Sequence, residues 1–419
     1  MKLDGATLSE QIFSMATGKR VQAGDLVIAP VDRCMSHDSL TPEVIDALEN
    51  DLTAERLADP ERVVVVMDHV APASSVATAN AQARVRKWVK RQGIAHFFDV
   101  GVGVCHQVMI EERLVLPGQI ALGTDSHATA YGSVCCFGTG VGSRDMALTL
   151  ASGHNWFRVP ETIRVRLSGA FRRCVSAKDL SLHLCGRLGM DGATYQAVEF
   201  HGADALSLAS RETLASMTTE LGAKAGLVPP TGAAMAEYAV PDWLRVRNDA
   251  SYARTIDVDL SALCSQVSVW PKVDDVVAAS ELHEVAVQQV FLGTCTNGRL
   301  QDLQAAAAIL EGRRVHPDVR MLVVPASHTI LQDAVADGTL ATLLDAGATL
   351  GTPGCGPCIG RHMGVIGAGE TCFSTANRNF RGRMGDPEGR IYLGSPETAA
   401  VTALTGHICD PGEWEAIHG

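Results

Sequence analysis

The segment GTPGCGPCIG (351–360) sets Cys355 and Cys358 in a Cys-x-x-Cys pair. Such a pair can exchange electrons as a dithiol, grip zinc, or hold an iron–sulfur cluster. A thioredoxin-type dithiol sits near the start of a small domain, after a strand and opening a helix. Here the pair lies late in the chain behind TLGTP, a poor strand end. Structural zinc takes four ligands, and Cys295 with His362 would complete that set. Small apolar core residues are a further reading of the same thiols. A cluster on Cys295, Cys355 and Cys358 fits the pattern better. Glycines flank all three, letting backbone and amide N–H groups approach a bulky inorganic cube. Three thiolates on four irons leave one iron open, and an open position makes a metal a Lewis acid. The remaining cysteines (34, 105, 135, 136, 174, 185, 264, 372 and 409) lack such spacing and read as buried thiols.

Other chemistry-bearing residues fall where strands should end. Asp68-His69 follows VVVVM, Asp125-Ser126-His127 follows IALGT, and Cys295-Thr296-Asn297 follows VFLGT. In open α/β sheets, ligands gather outside the carboxyl ends of strands. An Asp after a strand is also a common helix cap, but three polar strand ends together point to a site.

The elements that must carry these residues alternate. ERVVVVM reads as a strand, with a helix to Gly93 after it. VAVQQVFLG precedes the helical DLQAAAAILEGRR, and VRMLVVPAS precedes one helix over HTILQDAVADGTLATLLDAG. This alternation implies an α/β fold with mostly parallel sheets. The stretch from Ser168 to Asp274 is less regular, and the pattern restarts between Pro271 and Ser280. We expect lobes at 1–165 (with the DH and DSH motifs), 166–280, and 281–419 (with the cluster cysteines). The glycines of GTGVGSRD lack G-x-G-x-x-G spacing and read as tight packing.

Composition narrows the partners. A net charge of −12 opposes nucleic-acid binding. The tail does contain a local basic patch, NRNFRGRMG (377–385). No apolar run reaches membrane-span length and the N-terminus lacks a secretory h-region, so neither a membrane nor secretion is expected. Twelve cysteines without a secretion signal suit a reducing, cytoplasmic location.

GTDSHATAYGSVCCFGTGVGSRDMA, FLGTCTNGR, PGCGPCIG and NRNFRGRMG, in this order, resemble the signatures of the aconitase-type hydro-lyases. VDRCMSHDSLTP, MDHVAP, GVCHQVMIEE and TELGAKAGLVPP add weaker matches, so the likeness spans nearly the whole chain. It is greatest to the large subunits of the two-subunit branch: isopropylmalate dehydratases, homoaconitases and dimethylmalate dehydratases. The resemblance implies a three-lobed α/β/α arrangement around a cluster, without the C-terminal swivelling domain of single-chain relatives. It implies a [4Fe–4S] cluster on Cys295, Cys355 and Cys358. The implied reaction isomerises a 2-hydroxy di- or tricarboxylic acid by dehydration and rehydration, foremost 2- to 3-isopropylmalate in leucine biosynthesis.

By the same resemblance, His69 pairs with Asp68, His106 with Asp125 and His127 with Glu220 as the proton-handling set. Arg378 and Arg383 clamp substrate carboxylates, Ser126 donates to one, and Asn377 lies by the cluster. His37 stands where aconitases proper use a glutamine, and Arg381 matches no position. Ser216 and Ala128 depart from the usual Asn and Thr. The C–H base is a serine on a swivelling domain, so a separate small subunit is the implied partner. A non-catalytic cluster sensor is the reading from another class, opposed by the retained His–carboxylate set.

Overall fold

The computed structural model describes residues 1–418. The mixed α/β architecture contains three larger sheets and a small ribbon. In the first sheet all five strands are parallel, in the order His96–Phe98, Val63–Val66, Arg33–His37, Ile120–Gly123, Phe137–Gly140. Every residue of Val63–Val66 is buried, as expected of a β-branched run covered on both faces. The helix Val76–Gln92 follows, started by the Ser75 side chain accepting from Thr78 N–H and stopped by left-handed Gly93. Leu26–Pro30 and His154–Arg158 form the antiparallel ribbon beside this sheet.

The second sheet is also parallel: Ala225–Leu227, Ala197–His201, Thr162–Ser168, Arg254–Asp259. The third has seven strands, ordered Val276–Ala278, Gln266–Ser268, Arg390–Leu393, Thr371–Ser374, Gln289–Gly293, Arg320–Val324, Thr349–Leu350. Its first two strands precede residue 281 and extend the sheet by antiparallel pairing, Ser268 lying opposite Leu393.

Strand order fixes where a ligand can sit. In the first sheet the chain lays down Arg33–His37 at the centre, builds outward on one side, then returns to add Ile120–Gly123 on the other. In the third sheet Gln289–Gly293 plays the central part, with Arg320–Val324 on one side and Thr371–Ser374 on the other. Each reversal opens a crevice at the carboxyl ends of two neighbouring strands. His37 and Asp125 lie at the first crevice, Cys295 and Asn377 at the second.

Two details differ from the sequence expectation. The helix expected over 328–347 is two helices, His328–Ala336 and Thr339–Asp345, because Gly338 turns left-handed at φ +86° between them. Of the glycines in GTGVGSRD, Gly138 and Gly140 sit on a strand pressed against the DSH turn, whereas a side chain at Gly142 would meet open space. The thiols also divide: Cys264 is exposed and Cys174 and Cys409 are half-buried, while the other nine are buried. Among the described residues no helix is long and apolar enough to cross a membrane.

Gly138 carries the tightest of these approaches. A Cβ there would lie 2.2 Å from the Ala128 carbonyl oxygen and 2.9 Å from Tyr131 Cβ. Gly138→Ala therefore pushes the turn bearing Ser126 and His127 off the sheet. We expect a loss of about 2–3 kcal/mol, the scale of overpacking a tight interior, read as a lower midpoint in urea unfolding.

Candidate active site

The centre of the site is the Asp125 carboxylate, which follows the strand Ile120–Gly123. One oxygen, Oδ1, meets His106 Nε2 at 2.9 Å and His127 Nδ1 at 3.3 Å, and accepts from His127 N–H at 2.7 Å. The other, Oδ2, meets His69 Nε2 at 3.2 Å. His69 Nδ1 reaches Asp68 Oδ1 at 2.8 Å, and His127 Nε2 reaches Glu220 Oε1 at 2.8 Å. The structure thus brings together the three implied pairs and joins them through one carboxylate. Asp68 also serves as a cap of sorts: its Oδ2 accepts from Cys105 N–H, opening the helix Cys105–Glu111 that carries His106.

Burial and charge act against each other here. Burial alone would push Asp125 up, but bonds from His106, His127 and His69 hold it well below the usual carboxylate range. Burial would lower His69, yet Asp68 and Asp125 raise it well above its ordinary value. His127 is raised the same way by Asp125 and Glu220. His37 goes the other way. Buried, and stacked on His69 with ring centroids 3.8 Å apart, it falls to about 3 and stays neutral.

On the facing side, Arg378 Nε donates to Glu220 at 2.9 and 3.1 Å, and its Nη2 donates to Ser126 Oγ at 3.1 Å. Arg383 Nη2 lies 3.6 Å from Cys358 Sγ, and Asn377 Nδ2 donates to Cys295 Sγ at 3.4 Å. Arg381 points away, exposed and paired with Glu388. His37, His69, Asp125 and Ser126 face Arg378 and Arg383 across a cleft of about 380 Å³. Leu40, Ile359 and Arg361 complete its rim.

The cysteines are held on strained, tightly docked turns. Thr294, just before Cys295, has φ +80°, an unfavourable value for a β-branched residue. Gly354 packs so closely that a Cβ would lie 2.8 Å from the Asp68 carbonyl oxygen, and that oxygen accepts from Cys355 N–H at 3.0 Å. The loop of Cys355 and Cys358 is thereby fastened to the Asp68-His69 turn. A bond from the Cys355 thiol, then Arg383, holds Cys358 well below the ordinary thiol value, while Cys355 keeps its proton and is raised. Burial pushes Cys295 up to about 12.

This donor set can be tested against the groups it could hold. Tetrahedral zinc keeps its sulfurs about 3.8 Å apart. Among the described residues, no three ligand atoms of Cys295, Cys355, Cys358 and His362 gather within 4.8 Å of one another. Three thiols, glycine-flanked and met by amide and guanidinium donors, suit an iron–sulfur cluster. His37, Asp38, Asp68 and His69 do offer ligand atoms within 4.8 Å. The two carboxylates among them are already engaged, however: Asp38 takes N–H groups of Asp68, His69 and Val70 and the Gln82 amide, and Asp68 takes His69 and Cys105.

Several residues escaped the sequence reading. Asp38 shapes the Asp68–Val70 turn, and its only signal was its place beside His37 at a strand end. Arg299, buried with Glu212, donates to the carbonyls of Cys295 and Thr296. Tyr131 OH lies 3.4 Å from His106 Nδ1. Of the two departures, Ser216 Oγ is buried without a protein partner, and Ala128 is packed in the core beside Met35.

The pH dependence follows from the shifts. Asp68 and Asp125 are lowered from 3.8, so their contribution is present above 3.8 and is lost as pH falls through their folded values. His69 and His127 are raised from 6.5, so theirs is full below 6.5 and is lost as pH rises through their folded values. Stability from this set peaks between 3.8 and 6.5. Asp125→Asn should flatten that maximum in urea unfolding. NMR titration should also show His69 and His127 losing their protons at lower pH.

With this geometry established, comparison with known proteins is direct. The aconitase family (aconitate hydratase) model matches residues 10–283 and 272–406. The chain is 57% identical over 408 residues to the 3-isopropylmalate dehydratase large subunit of Herpetosiphon aurantiacus, covering 97% of each. It is 53% identical over 414 residues to the homoaconitase large subunit of Thermus thermophilus, covering 98% of each. Among solved structures, Thermococcus kodakaraensis aconitase X (holo-form) matches with a TM-score of 0.52 at 12% identity, over 88% of this chain and 89% of that one, a likeness of fold alone. The chain belongs to the aconitase family, the iron–sulfur hydro-lyases, and has its α/β fold.

Proposed function

We propose that this chain is the cluster-bearing large subunit of a two-subunit [4Fe–4S] hydro-lyase that converts 2-isopropylmalate to 3-isopropylmalate, a step of leucine biosynthesis in the cytoplasm. Identity with the Herpetosiphon large subunit over nearly the full length supports the substrate. The observation that carries the reaction class is Asp125 shared by His69, His106 and His127 at a cleft that also holds Arg378 and Arg383. We further propose three lobes, 1–165, 166–280 and 281–419, with the site among them, the strands Gln266–Ser268 and Val276–Ala278 crossing from the second to join the sheet of the third and the strand Thr162–Ser168 running across the first boundary.

The chemistry a [4Fe–4S] cluster supplies when bound by Cys295, Cys355 and Cys358 is Lewis acidity at the iron without a thiolate. The chain's own residues do the rest. Arg378, held in place by Glu220 and Ser126, presents guanidinium N–H groups to a substrate carboxylate, and Arg383 presents a second set. The raised imidazoles of His69 and His127 carry protons near neutrality, suited to protonating a departing hydroxide. Neutral His37, stacked on His69, restricts that ring from its other face. Asn377 donates toward Cys295. The C–H base comes from a serine on the swivelling domain of a separate small subunit, which closes over the cleft. "Large subunit" in the names of both relatives supports such a partner.

A second reading, homoaconitase, has its own observation. Arg361 sits at the rim of the cleft, exposed, with no side-chain hydrogen bond, and suits a third carboxylate.

The test is turnover of substituted malates by the chain with and without its cognate small subunit, under anaerobic conditions. We expect activity on 3-isopropylmalate only from the pair, and none after Cys358→Ser. Full activity from this chain alone overturns the two-subunit reading. Arg378→Lys should lower kcat/KM by roughly a hundredfold, the cost of losing bidentate charged hydrogen bonds worth about 3 kcal/mol.

A further inference from the structure

Lys178 is a buried cation that the proposed chemistry does not use. It is the second residue of the helix Ala177–Leu188 and is fully buried. Its Nζ donates to two main-chain carbonyls, Thr375 at 2.9 Å and Ala376 at 2.7 Å. No carboxylate oxygen lies within 4.0 Å of it among the described residues. An ammonium has three N–H donors, so one has no protein acceptor. The location is doubly unfavourable: a charge is costly in the interior, and a cation is disfavoured at a helix N-terminus. Other buried cations in this chain are better served. Arg299 pairs with Glu212, and Arg211 spreads its donors over the carbonyls of Ser133, Thr231, Val228 and Pro229.

The main chain that Lys178 grips leads into the cysteine site: Asn377, next after Ala376, donates from Nδ2 to Cys295 Sγ at 3.4 Å. The sulfurs of Cys295, Cys185 and Cys358 attract the ammonium once they are ionised. The carbonyls it grips immediately precede Asn377 and Arg378. Burial lowers the ammonium to about 8, which leaves it charged near neutrality.

We propose that Lys178 is the counter-charge of the cysteine site: its ammonium offsets the negative charge of the thiolates that hold the cluster, and pins the segment that delivers Asn377 and Arg378. The inference rests on the cluster reading above. Lys178 is a positioning and electrostatic residue and touches no substrate. A buried ammonium without a carboxylate is a net cost until the thiolates ionise around a metal centre, and it then becomes a gain. Loading the cluster should therefore stabilise the natural chain more than a chain lacking this charge.

The experiment uses the full-length chain, reconstituted anaerobically with iron and sulfide, in the natural form and as Lys178→Met, Lys178→Gln and Lys178→Arg. Three quantities are read: iron and sulfide content, the rise in Tm on loading, and the midpoint potential from an EPR-monitored titration. Removing a positive charge disfavours the reduced, more negative state. We expect Lys178→Met or Lys178→Gln to lower the one-electron equilibrium constant for reduction at least tenfold, about 59 mV. The rise in Tm on loading should shrink in the same variants, and Lys178→Arg should restore both. Taking the rise rather than Tm itself removes any general loss of stability. If one neutral variant fails to fold, the other carries the test. If both fail, a Lys178→Arg chain whose potential and Tm rise depart as far as tenfold from the natural ones overturns the idea, because charge is retained. A natural chain that binds no iron and sulfide overturns the cluster reading and this inference with it. A natural chain that loads, beside a folded neutral variant with the same potential and the same Tm rise, overturns the counter-charge alone.

Discussion

One buried carboxylate organises this protein. Asp125 accepts from three imidazoles and a main-chain N–H. Three imidazoles crowded together without a central anion would be forced neutral by burial and mutual repulsion, as His37 is. With Asp125 among them, His69 and His127 keep their protons. The carboxylate gains equally, since it stays ionised in surroundings that would otherwise neutralise it. The arrangement is a mutual one, and the parts around it hold it to a single geometry. Gly138 and Gly140 let the DSH turn lie flat on the sheet. Glu220 ties His127 to Arg378, which in turn donates to Ser126.

The fold supplies the rest by pointing two strand-order reversals at the same place. The first sheet offers acids and imidazoles from its crevice, and the third offers thiols, an amide and guanidinium groups from its own. Neither set is complete. The seam between them is closed by direct bonds, notably Asp68 to the Cys355 loop and Arg378 to Ser126. Asp68 bonds to His69 through its side chain and to that loop through its main chain, so one residue joins the cysteine turn to the histidines.

Much of this was legible from residue order, for definite reasons. Strand ends showed themselves because a β-branched run such as Val63–Val66 is short, continuous and followed by a polar stop. The cysteine pair and Arg378 stood in long motifs of uncommon composition. What stayed hidden was anything decided by approach in space. That Asp125 serves His69 and His127 as well as His106 depends on three turns meeting, and no spacing encodes it. Arg299 and Lys178 look like ordinary surface cations in the sequence, and only burial shows that they grip carbonyls instead. The helix break at Gly338 was missed because DGTL keeps the helical pattern of apolar residues, while the backbone takes the left-handed turn that glycine permits.

The distribution of chemistry over the cleft is consistent with the proposed two-subunit reading, in which the substrate is chosen by more than this chain. Its walls are rich in groups for the common part of a hydroxy acid: guanidinium ions for carboxylates and imidazoles for the proton. They are poor in groups for the part that varies. Leu40 and Ile359 are the apolar side chains at the rim, and Arg361 opposes them with a charge. Excluding water from an isopropyl group takes an apolar surface on more than one side, since the gain scales with the area covered. Two aliphatic residues at an open mouth supply a fraction of that area. On the two-subunit reading proposed above, the small subunit brings the remainder, and discrimination between an alkyl and a carboxylate arm belongs to its surface and to Arg361 jointly. The core built around Asp125 is free to remain the same for either.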